Sequence, residues 1–256
     1  MKTQTLAFVC LLAIATACNT KNENLASSVI GNPAEEGFDE ANSDPAAIEL
    51  ADSIMAAMGG RENWNNTRFI SWEFFGRRKL VWDKWEGRVR IESPADSTIY
   101  LVNVNTGEGK VQVKGHELTE ADSLGKMLER AKSIWINDSY WLVMPFKLKD
   151  TGVTLKYMGE DTISTGMMCN VLQLTFDDVG DTPQNKYMVY VDVKDNLVKQ
   201  WSYFREAAQD SSNFTRPWDN YKKYGSILLS ADRSDKGGPG NVAVANEMPD
   251  ETFTTF

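Results

Sequence analysis

The sequence predicts an α+β domain, with one large curved antiparallel sheet forming an unclosed β-barrel of about eleven strands and helices covering its concave face. Three observations carry this expectation. Apolar residues recur at helical spacing over 48–58 and again over 124–135. Between and after these stretches they alternate with polar residues at a period of two. Glycine-containing turns punctuate the alternating runs, as in consecutive hairpins.

The elements follow in order. Asp44-Pro45 supplies a cap and a proline at the first helical position. Ile48, Ala51, Ile54, Met55 and Met58 then share one helical face, and Gly59-Gly60 ends the helix. From Arg68 the period is two. Ile70, Trp72 and Phe74 alternate with Ser71 and Glu73; Leu80 and Trp82 alternate with Lys79 and Asp83; Val89 and Ile91 alternate with Arg88 and Arg90. Two further strands are expected near 98–104 and 110–114. Thr119 and Asp122 have capping-box spacing, and Leu124, Met127, Leu128, Ala131 and Trp135 form a second helical face that runs irregularly to Pro145. Strands return near 153–158, 167–176, 186–192, 197–205, 222–230 and 241–246, joined by turn-rich segments at 178–184 and 236–240.

The N-terminus has a different character. Lys2 precedes an apolar run, Leu6 to Ala15, and the small residues Ala15-Thr16-Ala17 stand directly before Cys18. A basic start, a short apolar core and small residues describe an export signal; a membrane span needs about twenty apolar residues. The cysteine after the cleavage position makes residues 1–17 resemble a bacterial lipoprotein signal, which implies acyl chains on Cys18 as a lipid anchor. Residues 18–43, rich in Asn, Ser, Ala and Glu, read as a flexible tether, and 44–256 as one domain. Asn19 at the position after Cys18, with no acidic run following, points to outer-membrane retention facing the periplasm.

Composition narrows the chemistry. The net charge of −9 argues against nucleic-acid binding, which needs a basic face. Of three cysteines, Cys10 falls in the signal and Cys18 at the anchor, which leaves Cys169 in an apolar run as a buried, inert thiol. His116 is the single histidine, so multi-histidine metal sites are excluded, as are histidine-dependent nucleophilic systems unless His116 serves. Its polar neighbours Lys114 and Glu117 make it a solvated loop residue. Asp177, Asp178 and Asp181 read as an acidic turn rather than a calcium loop. No cofactor motif is present: Gly237-Gly238-Pro239-Gly240 does not open a helix and reads as a turn.

The positive signal is aromatic. Trp72, Phe74, Trp82, Tyr100, Tyr157, Phe176, Tyr187, Trp201 and Tyr203 fall on the apolar phase of their strands. So large an apolar face must be covered. Individually such residues form core; together they allow a lined apolar cavity, with Trp72, Phe74, Leu80, Trp82, Trp201 and Tyr203 as the ligand-binding candidates.

The order of helix, hairpins, central helix and further hairpins on an exported lipoprotein resembles the periplasmic lipoprotein-carrier superfamily of LolA and LolB. The segments Met58-Gly59-Gly60, Trp72-Glu73-Phe74-Phe75-Gly76, Asn137-Asp138-Ser139-Tyr140-Trp141-Leu142, Gly180-Asp181-Thr182-Pro183-Gln184-Asn185 and Trp218-Asp219-Asn220-Tyr221 resemble a family of lipoproteins of Bacteroidota type. The first resemblance implies an apolar cavity under a helical lid that holds acyl chains, in a membrane-anchored, non-enzymatic lipid or lipoprotein carrier or acceptor. Two alternatives from other classes are a periplasmic glycan hydrolase with paired carboxylates and an envelope module that binds a protein partner.

Overall fold

The computed structural model describes residues 31–256 except residue 178. The signal and Cys18 lie outside the described residues. Helix α1 (Pro45–Ala57) and short helix α2 (Arg61–Asn66) precede five successive hairpin-connected strands. These are β1 (Phe69–Phe74), β2 (Arg78–Asp83), β3 (Arg88–Ser93), β4 (Thr98–Asn103) and β5 (Gly109–Val113), followed by a two-residue strand β6 (His116–Glu117). Helix α3 (Ala121–Val143) continues as a single 3-10 turn to Phe146. The second half holds β7 (Val153–Thr162), β8 (Met168–Phe176), β9 (Lys186–Asp192), β10 (Val198–Phe204) and β11 (Phe214–Pro217). The chain ends with β12 (Tyr221–Tyr224), β13 (Ile227–Ser230), β14 (Pro239–Ala245) and helix α4 (Glu251–Thr254).

The α+β class and the antiparallel pairing agree with the sequence pattern, but the single large sheet does not. The strands form a seven-stranded sheet in the order β14-β1-β2-β3-β4-β5-β6, a five-stranded sheet β11-β10-β9-β8-β7 and a ribbon β12-β13. Among the described residues no sheet closes on itself. The break falls where α3 separates β6 from β7, because a 23-residue helix carries the chain away from the edge it leaves. The segment 222–230, expected as one strand, is a hairpin. Gly225-Ser226 is its two-residue turn, with glycine first at φ +59°.

Two capping expectations are also corrected. Asp44 precedes α1, but its carboxylate accepts the Tyr157 amide and binds Lys156 rather than capping the helix. At α3 the cap is Glu120, which accepts from the Asp122 and Ser123 amides. Glutamate reaches these donors one residue later than Thr119 could.

The domain also starts before residue 44. Asn32 is buried and bonded to Asp52 and Arg61, and residues 35–44 run along the free edge of β7. There the Asp39 and Asp44 amides donate to the Val153 and Leu155 carbonyls, and the Leu155 amide donates to Ser43 Oγ. This strap satisfies backbone groups that a bare edge strand would expose. Composition alone marked it as tether because its apolar content is low. Its order comes from backbone pairing.

The core lies between the two sheets and the helices. On the other face of the first sheet, Phe69, Val81 and Phe253 make a small second cluster under α4. Asp83, fully buried, is held there by Arg68 and Arg88, whose bonds together outweigh its burial and keep the carboxyl below the usual range. Cys169 is buried, and burial pushes its thiol up to about 11, so it stays protonated and unreactive. His116 is exposed on β6 with its backbone in a two-residue ladder. His116→Gln should therefore move the urea midpoint by no more than about 0.5 kcal/mol equivalent, and a larger loss would show a partner for its ring.

Candidate functional site

Register explains how the aromatic face is built. Trp72 pairs with Leu80, Leu80 with Ile91, Ile91 with Tyr100, and Tyr100 with Val111, so one apolar row crosses five strands. The adjacent row runs Ile70, Trp82, Val89, Val102. In the five-stranded sheet Trp201 pairs with Val189 and Val189 with Leu172; beside them Tyr203 pairs with Tyr187 and Tyr187 with Leu174. Strand pleating puts these rows on one face of each sheet. Tyr157 departs from the expectation. It sits at the start of a β7 bulge and is 36% exposed, because the register shift turns it out of the row.

Helix α3 joins the two faces. Its Trp135 packs edge-on against Trp82 at 5.2 Å between ring centroids. Trp141 packs against Phe74 at 6.0 Å and Trp201 at 4.8 Å. Tyr140 reaches Phe176 and Tyr187. The six candidates from the sequence are thus brought together in two groups: Trp72, Phe74, Leu80 and Trp82 on the first sheet, Trp201 and Tyr203 on the second. Tyr203 is half-buried; the other five are buried, with Trp72 and Trp201 each 1% exposed. Side chains therefore occupy the space beneath α3. Trp141 and Trp218 belong to the same cluster and were not among the candidates. The helical period did not single out Trp141, which lies about a third of a turn round α3 from the face of Trp135 and Leu142.

Polar ties also hold α3 down: Ser133 Oγ donates to Asp181 at the surface, and two further ties involve buried residues. Asp138 is fully buried and receives a two-pronged interaction from Arg78 at 2.7 and 2.8 Å, across 60 residues of chain. Burial pushes the Asp138 carboxyl up, and Arg78 and Asn137 oppose that; the Arg78 guanidinium is itself held above its ordinary range by the pair. Further along, Arg233 donates to the Trp141 carbonyl.

One feature sets this interior apart from an ordinary core. The indole N–H groups of Trp72, Trp82, Trp135, Trp201 and Trp218, and the hydroxyls of Tyr100, Tyr140 and Tyr221, are buried without a partner among the described residues. Burial holds the Tyr140 hydroxyl well above its ordinary pKa, and the partly bonded Tyr187 hydroxyl at about 12, so all remain neutral donors. Each unsatisfied group costs about 1–3 kcal/mol, and native interiors keep few of them.

The catalytic inventory is short. Of the buried carboxylates, Asp83 and Asp138 are each bound by arginine, and Asp192 accepts the Lys194 amide. Among the described residues no group of three His, Cys, Asp or Glu side chains is arranged to hold a metal ion, and no helix is long and apolar enough to cross a membrane.

No family model matches the chain, and no curated protein matches it. Solved structures do. One is a DUF1329 family protein from Desulfovibrio piger, 14% identical, covering 82% of this chain and 98% of its own, with a TM-score of 0.44. A provisionally described outer membrane lipoprotein-sorting protein domain from Vibrio parahaemolyticus is 10% identical, with coverages of 81% and 96% and a TM-score of 0.41. A LolA superfamily protein from Nitrosomonas europaea is 12% identical, with coverages of 80% and 97% and a TM-score of 0.37. At these values the similarity assigns no activity to this chain.

Proposed function

We propose that this protein is a non-enzymatic envelope lipoprotein, anchored in the outer membrane on its periplasmic side through acyl chains on Cys18. Its aromatic face under α3 takes up an acyl chain of a lipid or lipoprotein. The observation that carries this reading is the set of unpartnered indole and phenol donors in the aromatic layer beneath one helix. A packed core gains nothing from such groups, whereas the ester or amide carbonyls of an acylated ligand would satisfy them.

The layer is filled when α3 lies on it, so entry of a chain requires the helix to lift. The contacts that resist lifting are aromatic packing and the polar ties, not strand pairing. Burying about ten methylenes would contribute about 8 kcal/mol before ordering costs. Part of that offsets the packing lost by α3.

Tryptophan fluorescence with a brominated phospholipid tests this directly. Saturable quenching is expected in the purified protein, and it should weaken in Trp82→Phe, which removes an indole beside Trp135. Absence of saturable quenching would leave the layer as core alone and end the carrier reading. The anchor is tested separately: a fatty-acid probe in growing cells should label the wild type and not Cys18→Ser. Equal labelling of both would remove the anchor without touching the cavity.

A further inference from the structure

A second feature lies at the end of the domain where the β1–β2 turn faces the β13–β14 loop. A cleft of about 570 Å³ opens there, lined by Glu73, Phe75, Asn220, Asp232, Arg233 and Lys236 among others. Five of these rim positions carry non-glycine residues at positive φ: Phe75 (51°), Asn220 (54°), Asp232 (51°), Lys236 (55°) and Asn241 (49°). For a bulky residue such as Phe75 this conformation is costly, so the surrounding fold holds the rim in place. The Phe75 ring is also 38% exposed at the mouth, resting edge-on against Trp141.

Arg233 lies at the base of this cleft and is 2% exposed. Its guanidinium stacks on Trp218 at 3.8 Å, Nε donates to Ser230 Oγ, and one terminal nitrogen donates to the Trp141 carbonyl. The other, Nη1, is buried and has no partner among the described residues. Nor does Arg233 form a salt bridge among them. Its acidic neighbours are already occupied: Asp219 accepts from Ser234, Asp235 accepts from the Gly237 amide and faces Arg216, and Asp232 faces Lys222. Burial pulls the Arg233 guanidinium down to about 10, which still leaves it charged at neutral pH. A buried charge with a free donor and no counterion is an expensive arrangement unless something completes it.

We propose that this cleft binds an oxyanion, a phosphate or carboxylate group, with Arg233 Nη1 as its principal donor and Lys236 as a second charge at the rim. Gly238, which lines the cleft with Arg233, stands over Nη1. A Cβ at Gly238 would stand 3.2 Å from that nitrogen, and Gly238 holds φ +133°, a conformation that glycine adopts and other residues rarely do. Movement of the Gly237-Gly238 turn admits the anion. Glu73 and Asp232 on the rim repel a purely anionic surface, so the ligand carries a localised charge, with an apolar part against Phe75. The site opens on a different side from the acyl-binding layer, which it adjoins through Trp141, Trp218 and the Phe74–Phe75 contact.

The test is titration calorimetry of the full chain with two probes, inorganic phosphate and phosphatidylcholine vesicles containing phosphatidylglycerol as the minor lipid. Saturable phosphate binding, weakened about tenfold or more in Arg233→Lys because lysine lacks the guanidinium fork, is the expected result. Vesicle binding with the same sensitivity identifies a lipid headgroup as the source, and phosphate binding alone identifies a free oxyanion. Lys236→Gln alters an exposed side chain and should weaken binding by a few fold and flatten its salt dependence. If Arg233→Lys fails to fold, as read by near-ultraviolet circular dichroism, Lys236→Gln decides alone, and unchanged affinity there overturns the site. Failure of both probes to bind the wild type, or equal affinity in wild type and Arg233→Lys, also overturns it.

Discussion

Replacing Asp138 with alanine should destabilise the domain by about 3 kcal/mol, the low end of the range for breaking a buried ion pair. The low end applies because the Arg78 side chain remains 25% exposed and can recover some hydration. The loss comes mainly from leaving the guanidinium without its two-pronged acceptor. Urea unfolding followed by circular dichroism gives the number. Amide hydrogen exchange gives its location, since α3 should lose protection before the strands do. The double replacement Arg78→Met with Asp138→Leu should recover much of the stability, because two apolar side chains leave no orphaned charge. If Asp138→Ala costs less than about 1 kcal/mol, the pair does not hold the helix.

Trp201→Ala should be costlier, about 4 kcal/mol, near the middle of the range for truncating a buried large aromatic. Trp201 is the centre of the aromatic layer, with Tyr187 stacked on it at 5.2 Å and Trp141, Phe214 and Trp218 edge-on at 4.8 to 5.8 Å. Aromatic pairs of this kind contribute about 0.5–1.5 kcal/mol each beyond burial. The unpartnered indole N–H offsets part of the sum, which keeps the expectation below the total of its contacts. Urea midpoints measured with an unchanged denaturant slope would check it. Trp201→Phe should lose less than half as much, since phenylalanine keeps a ring in the layer and removes the orphaned donor.

How far the sequence revealed this arrangement depends on the range of the interaction. Period-two alternation from Ile70 to Val111 is a local signal, and it placed β1 to β5 and the inward phase of Trp72, Leu80 and Trp82. The helical face over Leu124–Trp135 located α3 in the same way. Most of what escaped was set by contacts distant in sequence. The division into two sheets depends on where β7 pairs after α3, and the order of residues 32–43 depends on the edge of β7 itself. The Arg78–Asp138 pair joins residues with nothing local to link them. Arg233 was invisible for a further reason: a lone arginine in a polar loop has the composition of an exposed one, and only the fold lays it on Trp218. The Gly225-Ser226 turn escaped despite a local signal: two residues with glycine first between alternating runs mark a hairpin, which the single strand expected over 222–230 passed over.

In the anchored form proposed above, the strap along β7 would fix where the domain can stand relative to the membrane. The chain from Cys18 to Asn32 spans at most about 50 Å when fully drawn out, and Asn32 is pinned to Asp52 and Arg61. With acyl chains on Cys18, the protein is leashed by the flank bearing α1 and the outer strand of the five-stranded sheet. Such a leash would set a hemisphere of reach rather than a free path across the periplasm. On the proposed function, a partner handing over a lipid would have to come within that radius, and the domain would work as a fixed station beside its own membrane rather than as a ferry between two.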